Sequence, residues 1–175
     1  MWVFGYGSLM WWNEWESRFD CAERCIATVA GYRRVLNKAS VANWGSASAP
    51  GPTLNLVSDG DASCTGMAFN IPPTKEAEAL AYLHIREGRD FNFVSASARL
   101  ADERVVVATV AIYAGGNLVS YANDDELVSK IVAARGTSGR AIDYVLNLVT
   151  QLGAMGVDDP ELTRIAARLR ATPSD

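Results

Sequence analysis

The chain has 175 residues, 49% of them hydrophobic. That is enough for one domain with a core and cramped for two, so the expectation is a single domain over residues 1–175. A net charge of -4 argues against nucleic acid as the main partner. No run approaches the roughly 20 apolar residues of a membrane span, and the N-terminal segment lacks the basic and apolar regions of a secretory signal; the expectation is a cytoplasmic protein with no membrane partner.

The side-chain inventory narrows the chemistry. Four of the five tryptophans lie in the first fifteen residues, but beside Glu14 and Glu16 rather than a basic groove, which disfavours base stacking. Three cysteines, Cys21, Cys25 and Cys64, are an odd number without paired spacing, as reduced thiols would be. One histidine, His84, would have to carry any Ser-His-Asp or Cys-His arrangement alone, and no paired metal-ligand motif occurs. No metal and no cofactor is expected.

In chain order, Trp2 to Tyr6 reads as a strand, and Cys25 to Lys38 as a long strand bent near Gly31. Residues 39–53 are small, polar and proline-marked, hence a loop. Two short strands follow, from Leu54 and from Cys64, with Asp59-Gly60-Asp61 as the turn between them. Pro72-Pro73-Thr74 opens a helix to about Glu87, and Gly88 stops it. "FNFVSASARL" and "RVVVATVAIYA" form a hairpin around Asp102-Glu103.

Beyond Asn123 three amphipathic helices are expected. The first is marked by Leu127, Val128, Ile131 and Val132 and closed by Gly136. The second is marked by Ile142, Val145, Leu146, Val149 and Leu152 and closed by Gly156. The third has Asp159 as N-cap and Pro160 at N1, with Leu162, Ile165, Ala166 and Leu169 inward. Strands first and helices last favour an α+β fold with a curled, mixed or antiparallel sheet over a doubly wound one.

Two places in this pattern ask for chemistry. Gly5 and Gly7 bracket Tyr6 at the end of the first strand, where glycine weakens pairing unless a backbone or ligand must approach closely. A dinucleotide fingerprint fails at Met10, and no phosphate loop occurs. A structural turn and a cradle for an anion or oxyanion both remain open. The second place is Glu87. With Leu80 at zero on a helical wheel, Leu83, His84 and Ala77 fall within about 60° and Glu87 at about 20°, while Glu78, Tyr82, Ile85 and Arg86 point elsewhere.

A carboxylate on an apolar face is costly unless paired or neutralised, and the C-terminal end of a helix disfavours negative charge. Such a group suits a general base; a solvated Glu87, or one paired with Arg86 or Arg89, is the equally weighted alternative. His84 reads as a core or pocket-wall residue. In Tyr32, Arg34, Leu36 and Lys38, period-2 alternation puts two cations on one face, either solvated or beside a cleft where they would bind a substrate carboxylate.

"MWVFGYGSL", "GYRR", "CTGMAFNIP", "ALAYLHIREG", "GTSGRAIDYVLNL" and "LGAMGVDDPEL" together resemble the ChaC-like γ-glutamylcyclotransferase family, over nearly the whole chain. The resemblance implies a small mixed β-barrel with flanking helices and a helical C-terminal part. It implies cleavage of a γ-glutamyl amide by intramolecular cyclisation, with release of 5-oxoproline and, from glutathione, of Cys-Gly. It assigns the catalytic glutamate to Glu87. It assigns the γ-glutamyl group to the turn Tyr6, Gly7, Ser8 and Leu9; Val3 and Gly5 of the strand before it, with Arg34 and Lys38, complete the expected substrate-binding set. The expected partner is a small-molecule γ-glutamyl substrate, and the expected state a monomer or weak homodimer.

Two stretches depart from the family. Asn43-Trp44-Gly45 stands where many members have His-Arg-Gly, and Gly88-Arg89-Asp90-Phe91 where many have Gly-Gly-Tyr after the glutamate. Loss of a cation and gain of an indole imply a tail other than that of glutathione. A cyclase for another γ-glutamyl amide is therefore one competing reading. A non-catalytic binding module on the same fold is the other, and retention of Glu87 argues against it.

Overall fold

The computed structural model describes residues 1–11 and 14–172; Trp12, one of the four early tryptophans, lies outside them. The chain divides into two compact units, Met1–Arg34 with Leu56–Gly115, and Val35–Asn55 with Gly116–Asp175.

The first unit carries a closed β-barrel of strand order β1-β3-β2-β4-β5. Its strands are β1 (Trp2–Gly5), β2 (Glu23–Ser40), β3 (Gly51–Asn70), β4 (Phe91–Leu100) and β5 (Val105–Tyr113), of which β2 and β3 continue into the second unit. β1 lies antiparallel to β3, with Val3 opposite Phe69, and parallel to β5, with Val3 opposite Thr109. β4 and β5 form the expected hairpin, Phe91 opposite Tyr113 and Arg99 opposite Val105. Closure leaves the barrel no free sheet edge. The mixed α+β barrel anticipated above is thus observed.

Gly31 has φ +80 in the middle of β2, the bend expected there. Residues 59–61, in contrast, make no turn: β3 runs unbroken through them. A tight hairpin needs positive φ at its central residues, and Gly60 has none. The Asp59 carboxylate instead pairs with Arg33 Nε of β2 at 3.2 Å, along the extended strand. The expected loop 39–53 shrinks to 41–50, because β2 extends to Ser40 and β3 begins at Gly51.

Two helices cover this unit, α1 (Glu14–Arg18) and α2 (Glu76–Glu87). Trp15 of α1 and Phe19, just past its end, meet at 4.6 Å edge to face, Phe19 lies 5.5 Å from Tyr82, and the Arg18 guanidinium stands 4.3 Å over the Tyr82 ring. Within α2, Ala79 and Leu83 are the buried residues. The buried stripe is therefore turned about 80° from the Leu80 face, toward Arg86. His84 is exposed, with its ring 4.1 Å from that of Phe93, and not the core or pocket-wall residue expected.

The second unit holds α3 (Asp124–Ala133), α4 (Ala141–Ala154) and α5 (Pro160–Ala171), with a two-residue hairpin of β6 (Arg135–Gly136) and β7 (Gly139–Arg140) between α3 and α4. Asn123 caps α3, and Asp159 caps α5 as expected, its side chain accepting from Leu162 N–H. Gly156 follows α4 at φ +70. Gly136 does not close α3, which ends at Ala133. It sits in the hairpin, where a Cβ would come within 2.3 Å of the Ala42 carbonyl.

The inward side of α4 is Ala141, Tyr144, Val145, Leu148 and Leu152, so Ile142, Leu146 and Val149 flank the core rather than fill it. Val132 of α3 is exposed. Among the described residues no helix is long and apolar enough to cross a membrane.

Candidate active site

The site is built from the end of β1, the turn after it, and the last turn of α2, all in the first unit. β1 ends at Gly5, and the chain passes through Tyr6 and Gly7 into a 3-10 helix, Ser8–Trp11, closed by Met10 N–H donating to Gly7 O at 2.9 Å. The crossing is tight. A Cβ on Gly5 would stand 3.0 Å from Leu9 Cβ, and one on Gly66 of β3 would stand 2.3 Å from the Gly5 carbonyl oxygen. Glycine at these positions lets β1, β3 and the turn approach backbone to backbone.

Tyr6 is fixed at both ends. Its hydroxyl donates to the Ala111 carbonyl at 2.8 Å, and its own carbonyl accepts from Arg34 Nε at 2.9 Å. Arg34 also donates through Nη2 to the Thr65 carbonyl and lies 4.0 Å from Met10 Sδ. At 7% exposure its guanidinium is a strut inside the barrel rather than a surface cation. Of the face Tyr32-Arg34-Leu36-Lys38, Arg34 and Leu36 are buried and Tyr32 is half-buried. Val3 is buried in the barrel wall, its backbone opposite both β3 and β5. Lys38, half-buried, belongs to the second unit.

Glu87 is the last residue of α2, and Gly88 caps the helix at φ +87 with its N–H on His84 O. On the observed wheel, Arg86 and Glu87 flank the Ala79–Leu83 stripe on opposite sides. Arg86 Nη1 forms an ion pair with Glu87, and Arg86 Nη2 donates to Ser8 Oγ at 3.0 Å. Both charged side chains are 18% exposed. Glu87 is thus paired with Arg86 and not solvated. Arg86 is the residue that sequence reasoning missed. Its position three after Leu83 and seven after Ala79 carries the signal, once the stripe is centred on those two residues.

In the second unit Trp44 is not an open apolar surface. Its ring lies 5.3 Å from that of Tyr144, whose hydroxyl accepts from Leu54 N–H at 3.2 Å, and a Cβ on Gly139 would meet the indole at 3.3 Å. Thr137 and Ser138 N–H donate to the Ala42 and Asn43 carbonyls, each at 2.8 Å, holding the 41–50 loop on the β6–β7 hairpin. Among the described residues no three His, Cys, Asp or Glu side chains are grouped as a metal site would be.

What this arrangement supplies is a half-buried carboxylate at a helix end, coupled through one guanidinium to a backbone turn kept narrow by glycine. Such a combination is chemically suited to proton transfer with a small ligand held by main-chain groups. Comparison with known proteins gives it a context. The family model described as ChaC-like protein matches residues 1–172. A protein of Arabidopsis thaliana named γ-glutamylcyclotransferase 2-3 is 33% identical, over 97% of this chain and 88% of its own. One of Danio rerio named glutathione-specific γ-glutamylcyclotransferase 1 is 29% identical, over 98% and 90%. A crystal structure of a yeast γ-glutamyl cyclotransferase specific to glutathione shares the fold, with TM-score 0.87 and 21% identity over 98% of this chain and 96% of that one.

Proposed function

The chain belongs to the ChaC-like family, and from that premise we propose that it is a γ-glutamylcyclotransferase acting on glutathione or a closely related γ-glutamyl amide, with Glu87 as its proton-transfer group. The family match spans both units, which supports reading them as one domain. The observation that carries the reading is the link from Glu87 through Arg86 to Ser8, which brings the end of α2 to the glycine turn.

The substrate carries its own nucleophile. Seated on the backbone of Tyr6–Leu9, the γ-glutamyl group presents its α-ammonium to Glu87, which takes one proton. The free amine attacks the γ-carbonyl carbon and closes a five-membered ring. Main-chain N–H groups of the turn stabilise the oxyanion of the tetrahedral intermediate. The C–N bond to the leaving amine then breaks as Glu87 returns the proton to that nitrogen, and the second proton of the ring nitrogen passes through the freed carboxylate to the released amine, leaving a neutral lactam and an ammonium product. With glutathione the products are 5-oxoproline and Cys-Gly. Confining both partners of a ring closure to one molecule removes the entropy cost of a bimolecular encounter, so holding and proton transfer are the enzyme's remaining tasks.

Arg34 contributes through the turn, whose Tyr6 carbonyl it holds, and Gly5 and Gly7 by leaving room for the ligand. The relatives named glutathione-specific support glutathione as substrate. Incubating the purified chain with glutathione, and separately with γ-glutamyl dipeptides and amines, tests the reading. Release of 5-oxoproline in equimolar amount with the free amine is expected. No release from any of these compounds by a folded sample would contradict it.

A further inference from the structure

We infer that Arg86 is a positioning residue for this reaction, holding the Glu87 carboxylate and the Ser8 end of the glycine turn in register. The inference rests on the reading of Glu87 as the base. Arg86 and Ser8 are 78 positions apart in sequence, and the guanidinium spans helix and turn: Nη1 pairs with Glu87 Oε1 while Nη2 donates to Ser8 Oγ at 3.0 Å. A guanidinium is a rigid planar fork, so fixing one arm on Ser8 fixes the direction of the other. A lysine in its place would carry the charge on a flexible stem without that geometry.

Burial and electrostatics give the bridge its weight. Both partners of the ion pair are 18% exposed, so water and salt compete with it less than at an open surface pair. Glu87 is the last residue of α2, where the carbonyl end of the helix dipole disfavours a negative charge. Arg86 supplies the opposing charge from the same turn.

The ion pair is compatible with base chemistry. A carboxylate has two oxygens and about four acceptor sites; Arg86 engages Oε1, and the proton arrives at Oε2. Arg86 itself transfers no proton, since a guanidinium remains charged at any working pH. Its contribution is geometric. A base must lie within roughly 2.6–3.2 Å of the proton it takes, and a misplacement of about 1 Å costs on the order of 100-fold in rate. The effect is expected in kcat, because Arg86 acts on the Glu87 carboxylate and not on the γ-glutamyl group itself.

The test uses the purified full chain, with 5-oxoproline release measured against glutathione concentration and unfolding followed in urea. Arg86→Gln is expected to lower kcat on the order of 100-fold with KM changed less than about threefold. Arg86→Lys is expected to recover no more than about a tenth of wild-type kcat, charge being restored without the fork. Ser8→Ala, which cuts the other arm, is expected to lower kcat by about 3–10-fold alone and not further in the Arg86→Gln background, as for two changes in one bridge.

Arg86→Gln within about threefold of wild-type kcat would overturn the inference, as would a KM rise of tenfold or more at unchanged kcat, which would put Arg86 on a substrate carboxylate instead. Where Arg86→Gln does not fold, Arg86→Lys with wild-type kcat overturns it equally. A second arm needs no substrate. In unfolding, Arg86→Gln and Glu87→Gln are expected to couple, the double variant departing from the product of the two by at least about threefold. Additive effects overturn the bridge whatever the activity. A wild-type chain that releases no 5-oxoproline contradicts the proposed function, and this cycle then decides the bridge alone.

Discussion

Arg34 Nε, deep in the barrel, donates to the carbonyl oxygen of Tyr6 at 2.9 Å. A cation that alternation in the sequence offered to a substrate tail is thus spent on holding the turn. Arg34→Leu removes the donor from the Tyr6 and Thr65 carbonyls, and a buried acceptor left unsatisfied costs roughly 1–3 kcal/mol. We expect a lower urea midpoint together with a KM raised by more than about tenfold, because the turn loses its anchor. Arg34→Lys should rescue little, since an ammonium cannot serve both carbonyls in one plane. An Arg34→Leu protein with wild-type midpoint and KM would show that the strut is dispensable.

Gly66 tests the narrowness of the same crossing from the other strand. Its added Cβ would meet the Gly5 carbonyl at 2.3 Å and Phe4 Cζ at 2.9 Å. Backbone cannot yield as a flexible side chain does, so Gly66→Ala should cost about 2–4 kcal/mol and lower Tm by several degrees. Gly60→Ala, on the same strand with nothing within 4 Å of the new Cβ, is the control and should unfold at the wild-type temperature. Equal Tm values for the two would contradict the close approach of β1 and β3.

Trp44 bears on the second unit. Trp44→Ala removes the stacking partner of Tyr144 and should destabilise by about 2 kcal/mol, with Trp44→Phe retaining most of it. Because the indole is committed to this packing, Trp44→Arg should lose stability before it shifts substrate preference. A stable Trp44→Arg variant with improved use of glutathione would restore the view of this residue as part of a tail-binding loop.

Burial, reinforced by the Glu16 and Asp20 carboxylates, pushes the Cys21 thiol up to about 11, and its Sγ donates to the Trp15 carbonyl at 3.5 Å. At pH 8 such a thiol is ionised on the order of one part in a thousand, against about a quarter for an ordinary thiol. Alkylation of Cys21 by iodoacetamide should therefore run at least about 100-fold slower than that of a small thiol. It should keep accelerating as pH rises from 8.5 toward 11, where the small thiol has levelled off. Cys21 modified as fast as the small thiol at pH 8 would contradict its placement.

Much of this was legible from local rules. The barrel hairpin followed from two alternating apolar runs around Asp102-Glu103, and α5 from Asp159-Pro160, because caps and alternation are properties of neighbouring residues. Gly31 and Gly88 marked their bend and stop for the same reason. What failed depended on partners distant in sequence. Asp59-Gly60-Asp61 has the composition of a turn, but β3 runs through it without a break, with Asp59 paired to Arg33 of β2. Gly136 looks like a helix stop, but the 41–50 loop needs its bare Cα. The wheel of α2 singled out Glu87 from the right helix and misplaced the buried stripe by about 80°, since Ala79 is small enough to be buried and easily overlooked. Arg86, excluded by that error, links helix and turn through Ser8.

Glu87 is proposed to move the proton in cyclisation of a γ-glutamyl amide. The most direct test is 5-oxoproline release by Glu87→Gln at saturating glutathione, alongside a thermal melt of the same sample. Gln keeps the shape and a hydrogen bond to Arg86 but accepts no proton, so kcat should fall on the order of 10²–10⁴-fold in a protein that still melts within a few degrees of wild type. A folded Glu87→Gln protein that releases 5-oxoproline at near the wild-type rate would contradict the account.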